Sequence, residues 1–168
     1  VPDESEVSPI SVRVGFLSRD QLRAVLAARG VRMNDSAEVL LDNPVFDTQR
    51  DEEIVVVRRT VGQLGLDSGA SRSAIFAAAL DRGLSLCSVV TGPYLRLALT
   101  AQPSAPDTVL SKGTAPSGSL TVASAPLGDD DYPKGFYLRV IGAVPWLRGY
   151  RCTEQHPWQS DDVLIFRQ

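Results

Sequence analysis

Apolar residues at helical spacing open the readable part of the chain. In LSRDQLRAVLAARG, Leu22, Val25 and Leu26 fall on one face, Ser18 is an N-cap residue and Gly30 a stop. NDSAEVLLDNPVF predicts a second, short helix, capped by Asp35 or Ser36 and ended near Asn43 by Pro44. The two predict a small helical hairpin. A DNA-binding helix-turn-helix is disfavoured, because Glu38 and Asp42 stand where phosphate contacts want Arg or Lys. After the charged connector TQRDEE, the β-branched run Ile54, Val55, Val56 and Val57 predicts a strand. Helical spacing returns over residues 71–82. Ile75, Ala79 and Leu80 supply the apolar stripe, Phe76 extends it, and Gly83 fits the position after the helix. The entry from Gly69 to Ser71 lies at a helix start, where an anion can be cradled. It lacks a phosphate-loop lysine and reads as an ordinary cap.

From residue 84 the pattern is mainly that of strands. LSLCSVV and YLRLALT predict two, separated by Gly92 and Pro93, and SLTVASAP predicts another. APDTVLSKGTAPSG reads as a loop with a short strand inside it, LGDDDYPKG as an acidic turn, and VLIFRQ as a last strand. Within GFYLRVIGAVPWLRGY, Gly142 and Ala143 fit a two-residue hairpin turn. That turn sets a register: Ile141 faces Val144, Val140 faces Pro145, Arg139 faces Trp146, Leu138 faces Leu147, and Tyr137 faces Arg148. Opposed residues point to the same side. Phe136, Leu138, Val140 and Leu147 then form a core face, and Tyr137, Arg139, Trp146, Arg148 and Tyr150 an outer one. Helices first and strands after predict an α+β fold, a helical N-terminal part packed on a twisted, mainly antiparallel sheet. Residues 1–15, acidic and proline-punctuated, read as a flexible tail. Residues 16–168 read as a single domain, helix-rich over 16–83 and β-rich over 84–168.

Composition narrows the functional classes. A chain of 168 residues with 43% hydrophobic content can bury a core, and 22% charged residues argue against disorder throughout. A formal net charge of −3 argues against general nucleic-acid binding, which needs a basic surface. No apolar run approaches the ~18 residues of a membrane span, so a cytoplasmic location is expected. Val1 in place of methionine points to a trimmed or processed start and leaves a removed signal peptide open. Two cysteines, Cys87 and Cys152, are too few for a disulfide framework, and both read as free thiols in apolar surroundings.

Candidate chemistry concentrates in the alternation of arginines with aromatic rings. Tyr94 and Arg96 join Tyr137, Arg139, Trp146, Arg148 and Tyr150 as candidate ligand-binding residues. Guanidinium offers both a fork for an anion and a plane for stacking. The same ladder also occurs simply as the wet face of a sheet. His156, the lone histidine, lies near Glu154, Asp161 and Asp162, but a loop histidine beside Pro157 is a weak general-base candidate. One histidine and two distant cysteines do not make a zinc site. GDDD at 128–131 lacks the spacing and terminal Glu of an EF-hand loop. No nucleophile elbow or dinucleotide fingerprint occurs, and neither cofactor nor metal is expected.

The segments VGQLGL, IFAAALDRGLSLCSVVTGPYLRL, GFYLRVIG, WLRGY and HPWQSDDVLIF give the chain a further character. It resembles an uncharacterised family of small bacterial proteins with G-L-x-L-C-P, G-P-x-L-R-L, G-F-Y-L-R and W-L-R-G-Y motifs. The likeness runs from about Val55 to Phe166. Ser88 stands in place of the usual proline, and the loop after Gln102 and Pro103 is longer and richer in Ser, Pro and Thr. The resemblance implies a shared fold unit and no particular chemistry. The expected function is a binding or accessory protein that recognises an anionic or planar ligand, with a small molecule or a protein as partner. The alternatives are a small cofactor-independent lyase, cyclase or hydrolase with a pocket between helices and sheet, and an immunity or inhibitor protein.

Overall fold

The computed structural model describes residues 9–106, 116, 118–129 and 131–168. Among these, strands β1 (Ile10–Val14), β2 (Arg32–Met33), β3 (Glu52–Thr60), β4 (Leu120–Val122), β5 (Gly135–Ile141), β6 (Val144–Tyr150) and β7 (Val163–Arg167) form one sheet. Their order across it is β1-β3-β7-β4-β5-β6-β2. Pairing is antiparallel at β1–β3, β3–β7, β4–β5 and β5–β6, and parallel at β4–β7 and β2–β6. The helices are α1 (Arg19–Ala28), α2 (Asp35–Leu41), α3 (Arg72–Asp81) and α4 (Thr91–Ala98). The fold is α+β.

Local chemistry accounts for three helix starts. Ser18 accepts from Gln21 N while the Gln21 side chain accepts from Ser18 N, a reciprocal capping box on α1. Ser71 caps α3. For α2 the cap is Asn34, one residue before the expected Asp35 and two before Ser36. Glu38 of α2 and Asp42 at its C-cap both pair with Arg23 of α1, so these carboxylates tie the helical hairpin together.

Four expectations are corrected. The tail expected over 1–15 contains β1, whose Val12 and Val14 are buried. The alternation Ile10, Val12, Val14 carried that signal within its acidic, proline-bearing surroundings. YLRLALT is not a strand: Gly92, Pro93 and the residues through Ala98 form α4. Pro93 lies in the first turn, where a backbone N–H has no intrahelical partner to lose. LSLCSVV is not a regular strand either, and joins the sheet only at Ser85 and Cys87 through single bridges. The span 16–83 holds α1, α2 and α3, and the span 84–168 holds β4 to β7, with β2 and β3 before residue 83 and α4 after it as the exceptions. Leu80, expected in the buried stripe of α3, is 56% exposed, and Ile75 and Ala79 are the buried residues of that helix. The strand expected inside the loop after Gln102 lies outside the described residues.

The sheet buries both faces. Ile54, Val56, Leu120, Phe136, Leu138, Leu147 and Ile165 pack with residues of α1, α2 and α4. Val57, Leu164 and Phe166 face the other way and pack with Ile75 and Ala79 of α3 and with Trp158. Cys87 is buried on the first side, and burial pushes its thiol up to about 12. Cys87 and Cys152 are free thiols.

The β5–β6 register is the expected one at every pair, from Ile141 opposite Val144 to Tyr137 opposite Arg148. Both turn residues adopt positive φ, Gly142 at 55° and Ala143 at 64°. This fits a primed hairpin turn, whose twist matches that of the flanking strands. Ala143 is the one described non-glycine residue held there, and its Cβ crowds the backbone. Ala143→Gly should therefore stabilise the protein, by roughly 0.5–1 kcal/mol after allowing for the greater freedom of unfolded glycine. A lower urea midpoint for that variant would contradict the turn geometry.

Candidate functional site

The outer face of the hairpin brings part of the expected set together. Tyr137, Arg148 and Trp146 form a unit: Arg148 Nε donates to Tyr137 Oη at 2.7 Å, and the guanidinium carbon lies 5.0 Å from the Trp146 ring centroid. The cation over Trp146 is thus Arg148. Register makes Tyr137 share a face with Thr121 and Leu164, the side that α3 covers in part. Tyr137 is buried, and Arg139 is the largest side chain in the described structure with no exposure at all. The expectation of a solvent-facing Arg139 is corrected: it belongs to the interior. Tyr150 lies next along the same face, its ring edge-on to Trp158 at 6.2 Å. Burial raises its phenol, partly offset by the nearby Arg72.

Tyr94 and Arg96 do not join this face, because α4 carries them on the opposite side of the sheet. Tyr94 is buried; its hydroxyl donates to Leu17 O and accepts from Leu17 N, both at 3.2 Å. It pins the segment before α1 to α4.

Arg96 sits differently. It is 3% exposed and lines a cleft of ≈ 340 Å³ between the C-terminal end of α4, the segment after α1 and the tip of the hairpin. Its Nη1 donates to Gln102 Oε1 at 2.7 Å and to Trp146 O at 3.4 Å, and its Nη2 to Leu99 O at 2.8 Å. Every one of these acceptors is neutral. Nε is buried with no acceptor. Burial pulls the guanidinium down to about 10, which still leaves it cationic at neutral pH. Gln102 is itself buried and fixed, its amide nitrogen donating to Gly118 O and Leu138 O, both at 3.1 Å. Arg29 stands at the rim, and Ser104 contributes a hydroxyl that also accepts from Ala143 N at 3.2 Å. The rest of the lining is largely apolar, including Val31, Leu97, Leu99, Val140 and Pro145. Arg29, Gln102 and Ser104 were not expected as site residues. No periodicity marks them, and only the α4 turn and the loop following it gather them.

His156 lies apart from this cleft, its ring edge-on to Trp158 at 5.1 Å. Burial lowers its pKa and raises that of Asp162, so both drift toward the neutral form. Glu154 accepts from Ser73 N at 3.2 Å at the start of α3. A carboxylate of the chain thus takes up the helix N-terminus at which an external anion was considered. Hydrogen bonding to Ser73 holds that carboxyl below its usual range. Among the described residues no three His, Cys, Asp or Glu side chains gather to hold a metal, and no helix is long and apolar enough to cross a membrane. No protein-family model, curated protein or solved structure matches the chain.

Proposed function

We propose that the protein binds a small anionic ligand in the cleft lined by Arg96. The observation that carries this reading is a buried cation, bonded among the described residues to neutral acceptors only, in the wall of a cleft of ligand size. Burying a charge is costly unless it is paired, and an anion in the cleft would offset that cost. The Tyr137–Trp146–Arg148 unit supports a ligand surface less well. Arg148 already has an acceptor in Tyr137 and a stacking plane in Trp146. The enzyme alternative draws little support from the described lining residues, among which there is no carboxylate, imidazole or thiol.

A thermal-shift screen of anionic and neutral small molecules tests the reading. Hits should be anionic and should stabilise the wild type. Arg29→Gln should keep the unliganded melting temperature and lose part of the shift. Arg96→Lys should lose more, since each charge-assisted contact contributes about 1.5–3 kcal/mol. Equal shifts in all three proteins for every hit would overturn the assignment.

A further inference from the structure

We propose that the ligand of this cleft is an amphipathic monocarboxylate, its carboxylate at Arg96 and its apolar body along the hairpin tip. This inference rests on the reading of the cleft as an anion site. Three features select the class.

The first is the donor geometry of Arg96. A guanidinium has five N–H donors. The acceptors Gln102, Trp146 and Leu99 engage Nη1 and Nη2, and Nε has none. Nε and Nη2 form one edge of the guanidinium plane; Nε is sealed in the unliganded fold, so a carboxylate would draw that edge toward the cleft, where its parallel N–H groups match two carboxylate oxygens. The second feature is the field. Arg29 is the C-cap residue of α1, and Leu97 and Leu99 lie at the C-terminal end of α4. Two helices thus end at the cleft with their carbonyl termini, where the helix dipole is negative. A phosphate dianion would meet that field twice over and would find no helix N-terminus to cradle it. One negative charge against Arg96 and Arg29 is balanced. The third feature is the wall. Val31 from the segment after α1, Leu97 and Leu99 from α4, and Val140 and Pro145 from the hairpin offer apolar contact on three sides. A bare anion would leave that surface against water, whereas an alkyl or aryl body would cover it.

Calorimetric titration of the intact protein with butanoate, hexanoate and octanoate, hexan-1-ol and inorganic phosphate tests the class, with octanoate kept below its micelle concentration. Affinity should rise by roughly fourfold per added methylene. Hexan-1-ol should bind at least about tenfold more weakly than hexanoate, reflecting the lost charge-assisted contact. Arg29→Gln should weaken all three carboxylates by a similar factor and leave hexan-1-ol unchanged. A Val140→Ser variant should flatten the chain-length dependence, which a purely structural Arg96 would not produce. Phosphate binding more tightly than octanoate, with loss in Arg29→Gln, would overturn the ligand class and leave the anion site standing. Carboxylates and hexan-1-ol binding equally, with no response to Arg29→Gln or Arg96→Lys, would overturn both. Absence of binding by every anion would overturn both as well.

Discussion

Gly149→Ala is expected to destabilise the protein by about 3 kcal/mol. Gly149 lies within β6, and a Cβ there would stand 2.6 Å from Ser36 C and 2.7 Å from Ala37 N. Both are backbone atoms in the first turn of α2, so no rotamer change can make room. The helix cannot simply retreat. Asn34 Oδ1 accepts from Ala37 N at 2.9 Å and from Gly149 N at 2.8 Å, and Asn34 Nδ2 donates to Gly149 O at 3.0 Å. One side chain thus caps α2 and pairs with the strand. Moving α2 outward breaks the cap and the strand contact together, which adds about 1 kcal/mol to the overpacking cost. In an open strand, alanine would be favoured over glycine. The sign of the change therefore reads the docking directly: an unchanged or higher urea midpoint would mean that α2 does not close against β6 as described.

What the sequence made legible follows from where the determining forces are local. The hairpin register was readable because period-two alternation and a two-residue turn lie within the same sixteen residues. The α1 helix was readable because Ser18, Leu22, Leu26 and Gly30 fix its start, face and end. By contrast α4 misled, and the reason is burial. Thr91, Gly92, Pro93, Tyr94, Leu95 and Arg96 are all buried, so Arg96 marks no exposed face, while Leu95, Leu97 and Leu99 alternate as they would in a strand. Gly92 does not break the helix. A Cβ there would stand 2.6 Å from the Phe136 ring, so this glycine lets the helix approach the sheet closely. That reason lies forty-four residues along the chain, beyond any window. Strand β2, only two residues long and parallel to β6, left no pattern at all. The cleft shares this fate. Arg96 was singled out on a supposed strand for the ladder it would extend. Its surroundings of Gln102, Arg29 and Pro145 come from three separate elements. The hairpin likewise gave the side to which Arg139 points but not what covers that side, because burial depends on layers packed outside the hairpin.

That distinction yields the second large effect. Arg139→Ala should cost about 3–5 kcal/mol of stability, far more than truncating an exposed ladder residue. Arg139 has no solvent exposure and is not without partners. Removing it opens a cavity of nearly a whole long side chain and takes a buried cation out of the interior. The neighbouring cation is the control. Arg148 is half-buried, bonded to Tyr137 and stacked on Trp146. Arg148→Ala gives up one hydrogen bond and one cation–π contact next to solvent, a loss of about 1–2 kcal/mol. Urea unfolding of both variants at neutral pH measures the contrast. Similar small losses would return Arg139 to the surface and reopen the ladder as a ligand face. A loss at Arg139 larger by 2 kcal/mol or more (roughly, from the same cavity and charge costs) would fix it as an interior strut, leaving ligand recognition to the cation on the other side of the sheet.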